Sequence, residues 1–347
     1  MTLNDIHYVR EGIQLIPVGD TPFAADKDFG FRSSNLREWI EEKFGSRQTP
    51  RIESIGIDEL REERAADKIA TRLDSIASGQ GPPLIVILNA FSPADMNTFA
   101  EAVSLAAPST RLLYRTGASF VSAHLGIEAT PSLSPQDLFK SSGDVEARGG
   151  LIVVGSYVPK TTEQREILLA RCEGFVTHFE LNVEQLLESK DSNVGVIEAT
   201  VRKVETALRS GNDVVLSTSR KLITKDSGKS SLHMGSIISG VMVAIVKLIS
   251  VRPKYVVAKV SILLLETPVP ADRVNFKGGI TSSDIATKAL GIRRALVVGQ
   301  AAVGVPLWLS QDGGADKWTG VPYIVFPGNV GKAETLADLV TLYRRDE

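Results

Sequence analysis

The sequence lacks the residue patterns of several protein classes. It contains one cysteine, Cys172, and four histidines among 347 residues. One cysteine excludes an internal disulfide, and the scattered histidines form no Cys/His cluster with zinc-ligand spacing. The most apolar stretch, residues 237–251, is interrupted by Lys247 and is shorter than the roughly 20 residues that a membrane span needs. We therefore expect a reducing compartment, no structural zinc and no membrane partner.

The sequence also lacks a surplus of either charge. Lysine and arginine number 39 and aspartate and glutamate 41, which gives a net charge of -2. Without a basic surplus to neutralise a phosphate backbone, we expect no nucleic-acid partner. The first ten residues carry charge early and have no apolar core of a signal peptide. These features predict a cytoplasmic protein.

Short β-branched runs alternate with longer amphipathic runs from residue 51 onward, which predicts an α/β fold with mostly parallel sheets. Prolines, serines and glycines are concentrated in residues 128–148, so we expect a linker there between a first domain at 1–127 and a second at 149–347. The predicted strands are 51–57, 84–88, 111–114, 151–154, 213–217, 255–258, 295–298 and 323–326. The predicted helices are 58–78, 93–106, 117–125, 162–172, 237–250, 282–290 and 333–344.

Three strands of the second half are followed by turns that contain glycine and lead into helices. The turns hold Gly155-Ser156, Gly278 to Ser282, and Pro327 to Gly331. Glycine lets the backbone approach a phosphate, and a helix N-terminus offers free N–H donors, so the three turns predict a shared phosphate site at the carboxyl edge of a sheet. Simple helix capping, as by Thr161 to Gln164, remains the alternative. No G-x-x-x-x-G-K-[ST] or G-x-G-x-x-G motif is present, which argues against a P-loop enzyme and a nicotinamide-dependent oxidoreductase.

Residues 150–156, 277–284 and 326–331 resemble the C-terminal nucleotide-binding domain of the four-carbon acid sugar kinase family. Residues 19–26 and 114–121 are more loosely similar to the later part of its sugar-acid-binding domain. The resemblance implies ATP-dependent phosphorylation of a sugar acid such as threonate or erythronate, with Mg²⁺ as the second cofactor. It also implies a homodimer or fused dehydrogenase or aldolase neighbours as partners.

The resemblance and the turns together indicate a set of site residues, although no catalytic residue is identified. Arg115 is the candidate for binding the acid, because a guanidinium binds a carboxylate with two hydrogen bonds. A surface salt bridge is an equal alternative for this arginine. Asp284 is a weaker candidate for holding magnesium through water, because an acid in a first helical turn is favoured by the helix N-terminus without any metal. The predicted nucleotide-binding residues are Ser156, Gly278, Gly279, Thr281, Ser282, Gly328, Asn329 and Gly331.

The sequence departs from the family pattern in two places. The family's Asp-Asp-Leu-Thr-Gly-Ala and Lys-x-Asp-Ser-Thr-Leu-Arg-Gly segments are absent, which leaves open an ATP-binding remnant or regulatory module without turnover. Residues 260–277 separate a strand from the turn that follows it directly in the family. These eighteen residues correspond to 54 nucleotides, and valine codons begin with GT while lysine codons can end with AG. We interpret the segment as a translated intron, with a surface insertion as the alternative.

Overall fold

The computed structural model describes the chain in two compact units, Met1–Ala129 and Thr130–Glu347. At residues 11, 228–234, 260, 280, 281 and 312 it describes the backbone alone. The description covers residues 1–344 except 22, 26–29, 46, 48–49, 78–83, 108–109, 129–130, 135, 137–148, 156–158, 189–192, 220–227, 261–279, 313–317 and 329.

The first unit begins with an antiparallel meander that the sequence analysis did not predict. Its strands are β1 (Thr2–Leu3), β2 (Ile6–Glu11) and β3 (Gln14–Pro17). Asn4 and Asp5 connect β1 to β2 with φ angles of 50° and 61°. Two successive left-handed residues match the right-handed twist of a hairpin, and asparagine and aspartate tolerate this conformation well.

A parallel pair of strands, β4 (Arg51–Ile55) and β5 (Leu84–Leu88), lies at the centre of the first unit. Ile55, Leu73, Phe99 and Phe120 belong to the core that its helices bury. The helices of this unit are Leu36–Phe44, Ile57–Leu60, Ala65–Ala77, Pro93–Leu105 and Ala118–His124, with a 3-10 turn at Val18–Asp20.

Two predictions for the first unit are wrong. The predicted helix at 58–78 is two helices, because Arg64 adopts a left-handed φ of 56° that a continuous helix does not allow. The predicted strand at 111–114 does not form. Leu113 is fully exposed there, so the apolar run contributes nothing to the core that would fix a strand.

The second unit is built on a seven-stranded sheet, which confirms the predicted α/β fold with a mostly parallel sheet. The strand order is β10-β11-β12-β9-β6-β8-β7. The five strands from β12 to β7 are parallel, while β10 and β11 form an antiparallel hairpin at one edge. The strands are β6 (Leu151–Val154), β7 (Val176–Leu181), β8 (Asp213–Thr218), β9 (Val256–Val260), β10 (Arg294–Ala302), β11 (Val305–Asp312) and β12 (Pro322–Pro327).

Helices cover both faces of this sheet, as a parallel sheet buried on both sides requires. Leu168 and Val340 carry the core on one face, from the helices Pro159–Arg171 and Thr335–Arg344. The helices on the other face contribute Val204 and Met242. They are Val183–Glu188, Val194–Arg209, Gly228–Leu248 and Ile280–Asp284, the last continued by a π-helical turn at Ile285–Ala289. Within the described part of the chain, no helix is both long and apolar enough to cross a membrane.

Candidate functional site

The carboxyl ends of β6, β9 and β12 lie side by side in the sheet. Val154 on β6 and Phe326 on β12 both pair with Lys259 on β9. The backbone N–H of Gly155 donates to the Lys259 carbonyl at 3.4 Å. The chain beyond β6 and the turn after β12 therefore leave the sheet at the same edge, where α/β proteins commonly bind ligands.

The turn after β12 is fixed by side chains of the helix Pro159–Arg171. The Thr161 hydroxyl donates to the Gly328 carbonyl at 3.1 Å. The Gln164 amide donates to the carbonyls of Val330 and Lys332 at 3.1 and 2.6 Å. These three hydrogen bonds hold the turn against the helix at this edge of the sheet.

Gly331 lies in this turn with a φ of 84°. A Cβ at this position would come within 2.9 Å of the Thr335 side chain. The Thr335 hydroxyl in turn accepts from the Lys332 N–H at 2.8 Å at the start of the last helix. Both the backbone conformation and the space therefore require glycine here.

Lys259 is the most unusual residue of the edge, because it is fully buried. Its Nζ donates to the Pro327 carbonyl at 3.3 Å and lies 3.8 Å from the centre of the Phe326 ring. Burial, together with the charge of Lys160, lowers the pKa of Lys259 to about 7. A buried amine at such an edge favours the binding of a negatively charged group beside it.

The helix Pro159–Arg171 adds further positive potential at the same edge. Its first turn includes the exposed Lys160, and unpaired N–H groups at a helix start carry about half a positive charge. The helix start, Lys160 and Lys259 all favour an anion, and the first turn of the helix contains no acidic residue. The edge is therefore suited to phosphate groups.

A second group of polar contacts lies around β7 and β8. Arg165 donates to Glu180 at 3.0 Å and to the Ser217 hydroxyl at 3.3 Å, and His178 Nε2 lies 2.9 Å from that hydroxyl. The Ser219 hydroxyl accepts from the N–H of Val183 at 3.1 Å, at the start of the helix Val183–Glu188. These hydroxyls thus serve internal bonds.

The structure places only some of the predicted nucleotide-binding residues. Gly328 and Gly331 lie in the fixed turn, and Ser282 is buried with its carbonyl accepting from the Tyr323 hydroxyl at 2.6 Å. Thr281 is helical, and its side chain is not described. Four of the predicted residues lie outside the described part of the chain: Ser156, Gly278, Gly279 and Asn329. The segment 260–277 also lies outside it, except for the backbone of Val260.

The interpretation of Thr161 as a helix cap is wrong, because the helix begins at Pro159 and Thr161 lies inside its first turn. Its hydroxyl bonds the Gly328 turn instead. No functional role was predicted for Lys259 from the sequence. Its burial was missed, because a lysine at the end of an apolar strand is ordinarily exposed.

Magnesium has no ready-made protein site among the described residues, where no group of three metal-ligating side chains occurs. Asp284 is engaged by Lys288 at 2.8 Å and by the Ser239 hydroxyl at 3.2 Å. Asp284 is the last residue of the helix Ile280–Asp284, so its side chain serves an ion pair and a contact with the helix Gly228–Leu248 and does not cap a helix start. Magnesium that is bound mainly by phosphates does not need such a site.

Arg115, the candidate for binding the acid, lies in the first unit. Its guanidinium carbon is 4.8 Å from the centre of the Trp39 ring, and the residue is exposed. Stacking on an aromatic face leaves the edge of a guanidinium free to bind a carboxylate.

Two family models match the chain in sequence. The family described as "Sugar-binding N-terminal domain" matches residues 1–124, and the family described as "Nucleotide-binding C-terminal domain" matches residues 151–336. The second match contains the helix, the buried lysine and the whole turn described above. Among curated proteins, none matches the chain.

Solved structures have the same fold. A Haemophilus influenzae protein of family DUF1537 has a TM-score of 0.54 and 17% identity, over 99% of this chain and 71% of that one. A Salmonella typhimurium LT2 protein has a TM-score of 0.60 and 14% identity, over 96% of this chain and 68% of that one. At these identities the likeness concerns the fold.

Proposed function

The chain belongs to the four-carbon acid sugar kinase family, and from this premise we propose that it is a cytoplasmic kinase that transfers a phosphoryl group from ATP to a four-carbon sugar acid. The observation that carries the proposal is the sheet edge of the second unit. There a buried lysine, a helix start and a glycine turn with fixed carbonyls meet within a nucleotide-binding domain. The match of residues 1–124 to a sugar-binding domain supports an acid site in the first unit.

The residues of the edge would bind and orient the nucleotide. Phosphoryl transfer needs little covalent chemistry from the protein, which mainly positions the phosphates and stabilises their charge. Lys259 and the helix start supply positive charge, and Gly331 permits close backbone approach. ATP therefore fits the residues that are present. Ser156, Gly278, Gly279, Thr281, Ser282, Gly328 and Asn329 complete the proposed site.

Magnesium enters the proposal only as the cation carried by ATP. Bound there, it would neutralise phosphate charge, and the described residues do not build a separate cage for it. The acid would bind in the first unit, with Arg115 as the proposed partner of its carboxylate. A homodimer, or a neighbouring enzyme domain in a longer chain, is also part of the proposal.

Acid-dependent release of ADP tests the kinase activity. We expect the full chain to convert MgATP to ADP when threonate or erythronate is added, and to release much less ADP without the acid. Coupled spectrophotometry with a panel of three- to six-carbon sugar acids measures this directly. ATP binding without any acid-dependent turnover would instead identify the chain as a nucleotide-binding module that does not phosphorylate these acids.

Substitution of Gly331 by alanine is expected to weaken MgATP binding at least tenfold. The new Cβ meets the Thr335 side chain, and alanine disfavours the φ of 84°, so the turn must shift. A displacement of about 1 Å can cost 100-fold in activity. Calorimetric titration with MgATP, and separately with NAD, measures the effect. Gly174→Ala is the matched control, because nothing lies within 4 Å of a Cβ there. Equal MgATP affinities of the two variants would show that the turn is not part of the nucleotide site.

A further inference from the structure

Among the residues that the structure describes, the amine of Lys259 has more hydrogen-bond donors than it finds acceptors. A lysine ammonium carries three N–H donors, yet among the described residues Nζ has one acceptor, the Pro327 carbonyl at 3.3 Å, besides the Phe326 ring. No carboxylate forms an ion pair with it in the part of the chain that is described. A fully buried cation with a single carbonyl partner is costly, since burial of a charge is offset only by full pairing.

The neighbouring groups increase this cost. The two strands beside β9 place Val154 and Phe326 next to Lys259, and neither can titrate. From the helix Pro159–Arg171, Lys160 adds a like charge. Burial and this charge lower the pKa of Lys259 to about 7, so that a large fraction of the amine is uncharged at neutral pH.

We propose that Lys259 contacts the phosphates of the bound nucleotide and takes up a proton from solvent when the nucleotide binds. The neutral amine and a solvent proton give the ammonium, and no bond of the nucleotide is made or broken. Phosphate oxygens supply the acceptors that the ammonium lacks, and their charge stabilises the added proton. The inference rests on the proposed function and adds that nucleotide affinity depends on pH through this one residue.

The direction of the pH dependence follows from linkage. The ligand favours the protonated amine, so above the pKa of the free protein each pH unit lowers affinity by up to tenfold, until the pKa of the complex is reached. Phosphate groups lose their last proton near pH 6, which leaves the nucleotide fully ionised above pH 8. We expect the dissociation constant for ADP with Mg²⁺ to rise about five- to tenfold between pH 8 and pH 9.

Calorimetric titration of the full chain with ADP and Mg²⁺ tests this in two buffers of different ionisation enthalpy. At pH 8 the buffer dependence of the heat should correspond to uptake of nearly one proton per nucleotide. Lys259→Met keeps a similar side-chain length beside Phe326 and Val154. It should bind at least tenfold more weakly at pH 8, with no proton uptake and no change in affinity up to pH 9.

Lys254→Met is the matched control, because Lys254 lies just before the amino end of the same strand, away from the turn. It should reproduce the native affinity and its pH dependence. Native protein that binds ADP with equal affinity at pH 8 and pH 9 and with buffer-independent heat would overturn the role of Lys259 and leave nucleotide binding intact. Absence of ADP binding at every pH would overturn the proposed function itself, and the inference with it.

Discussion

Replacing Asp95 with alanine is expected to destabilise the first unit by about 3 kcal/mol, because several bonds end on this one buried carboxylate. Asp95 accepts from both Nε and Nη2 of Arg61, at 2.9 and 3.1 Å. It also accepts from the backbone N–H groups of Phe91 and Ser92, at 2.9 and 2.8 Å. Alanine leaves these two N–H groups without their acceptor at the start of the helix Pro93–Leu105.

The same carboxylate makes the first unit sensitive to acid. The Arg61 guanidinium, followed by the N–H groups of Phe91 and Ser92, holds the pKa of Asp95 well below its usual range, against the opposing effect of burial. A pKa that is depressed in the folded state contributes stability above the unfolded value of about 4, and this stability is lost as the pH falls below it. The native first unit should therefore lose stability more steeply below pH 4 than the alanine variant.

Hydrogen exchange followed by mass spectrometry measures this prediction for each unit separately. Peptides that contain β4 and β5 report on the first unit, and peptides from β6 and β8 report on the second. Asp67→Ala is the control, since its ion pair with Arg64 at 3.0 Å is largely exposed, and such pairs contribute less than about 1 kcal/mol. If the amides of β4 and β5 are equally protected from exchange in Asp95→Ala and in Asp67→Ala, the Asp95 network does not stabilise the unit.

The sequence was sufficient to predict the aliphatic strands β5 and β6 with the bounds that the structure gives them. β5 and β6 are short runs of aliphatic residues, and in β6 every residue is fully buried. Such runs have few alternatives to a buried parallel strand. The predicted convergence of glycine turns follows from the same logic, because parallel strands place their carboxyl ends at one edge.

The missed elements carried weaker signals. β7, with the sequence Val-Thr-His-Phe-Glu-Leu, lies at the sheet edge, is only half-buried and mixes polar with apolar residues. Of the hairpin, only residues 295–298 of β10 were predicted as a strand, and β11 was missed. Leu296 and Val297 of the outer strand β10 are exposed, so burial does not account for this edge. At edges, pairing and not burial decides the structure, and a pattern of hydrophobicity does not record pairing.

The candidate site shows the same limit. Gly331 was recognisable because a glycine after a strand has few structural roles. The importance of Lys259 depends on its register opposite Val154 and Phe326, and Gln164 acts through a contact with a turn 166 residues away. Such contacts are set by the packing of the helix Pro159–Arg171 on the sheet, which no local pattern specifies.

Replacing Gly149 with alanine is expected to produce the largest loss of stability in the second unit, above about 3 kcal/mol. A Cβ at this position would overlap the backbone carbonyl of Asn212, just before β8. The Gly149 carbonyl accepts from the Lys254 N–H at 2.9 Å, and the Gly150 N–H donates to Asp213 at 2.5 Å. Overpacking usually costs about 1–3 kcal/mol, and the obstacle here is backbone held on both sides, which cannot rotate away.

This substitution lies at the amino end of the sheet, opposite the proposed phosphate site, and so separates folding from ligand contact. For a unit of this size, 3 kcal/mol corresponds to a fall of roughly 6 to 12 °C in the melting temperature. Gly240→Ala is the matched control, because it lies on an exposed helix face with nothing within 4 Å of a Cβ and should stabilise the helix by up to about 1 kcal/mol. Differential scanning calorimetry, with and without MgATP, should show a lower melting temperature for Gly149→Ala and a slightly higher one for Gly240→Ala than for the native protein. A native-like transition for Gly149→Ala would mean that the chain before β6 does not pack against Asn212 as described.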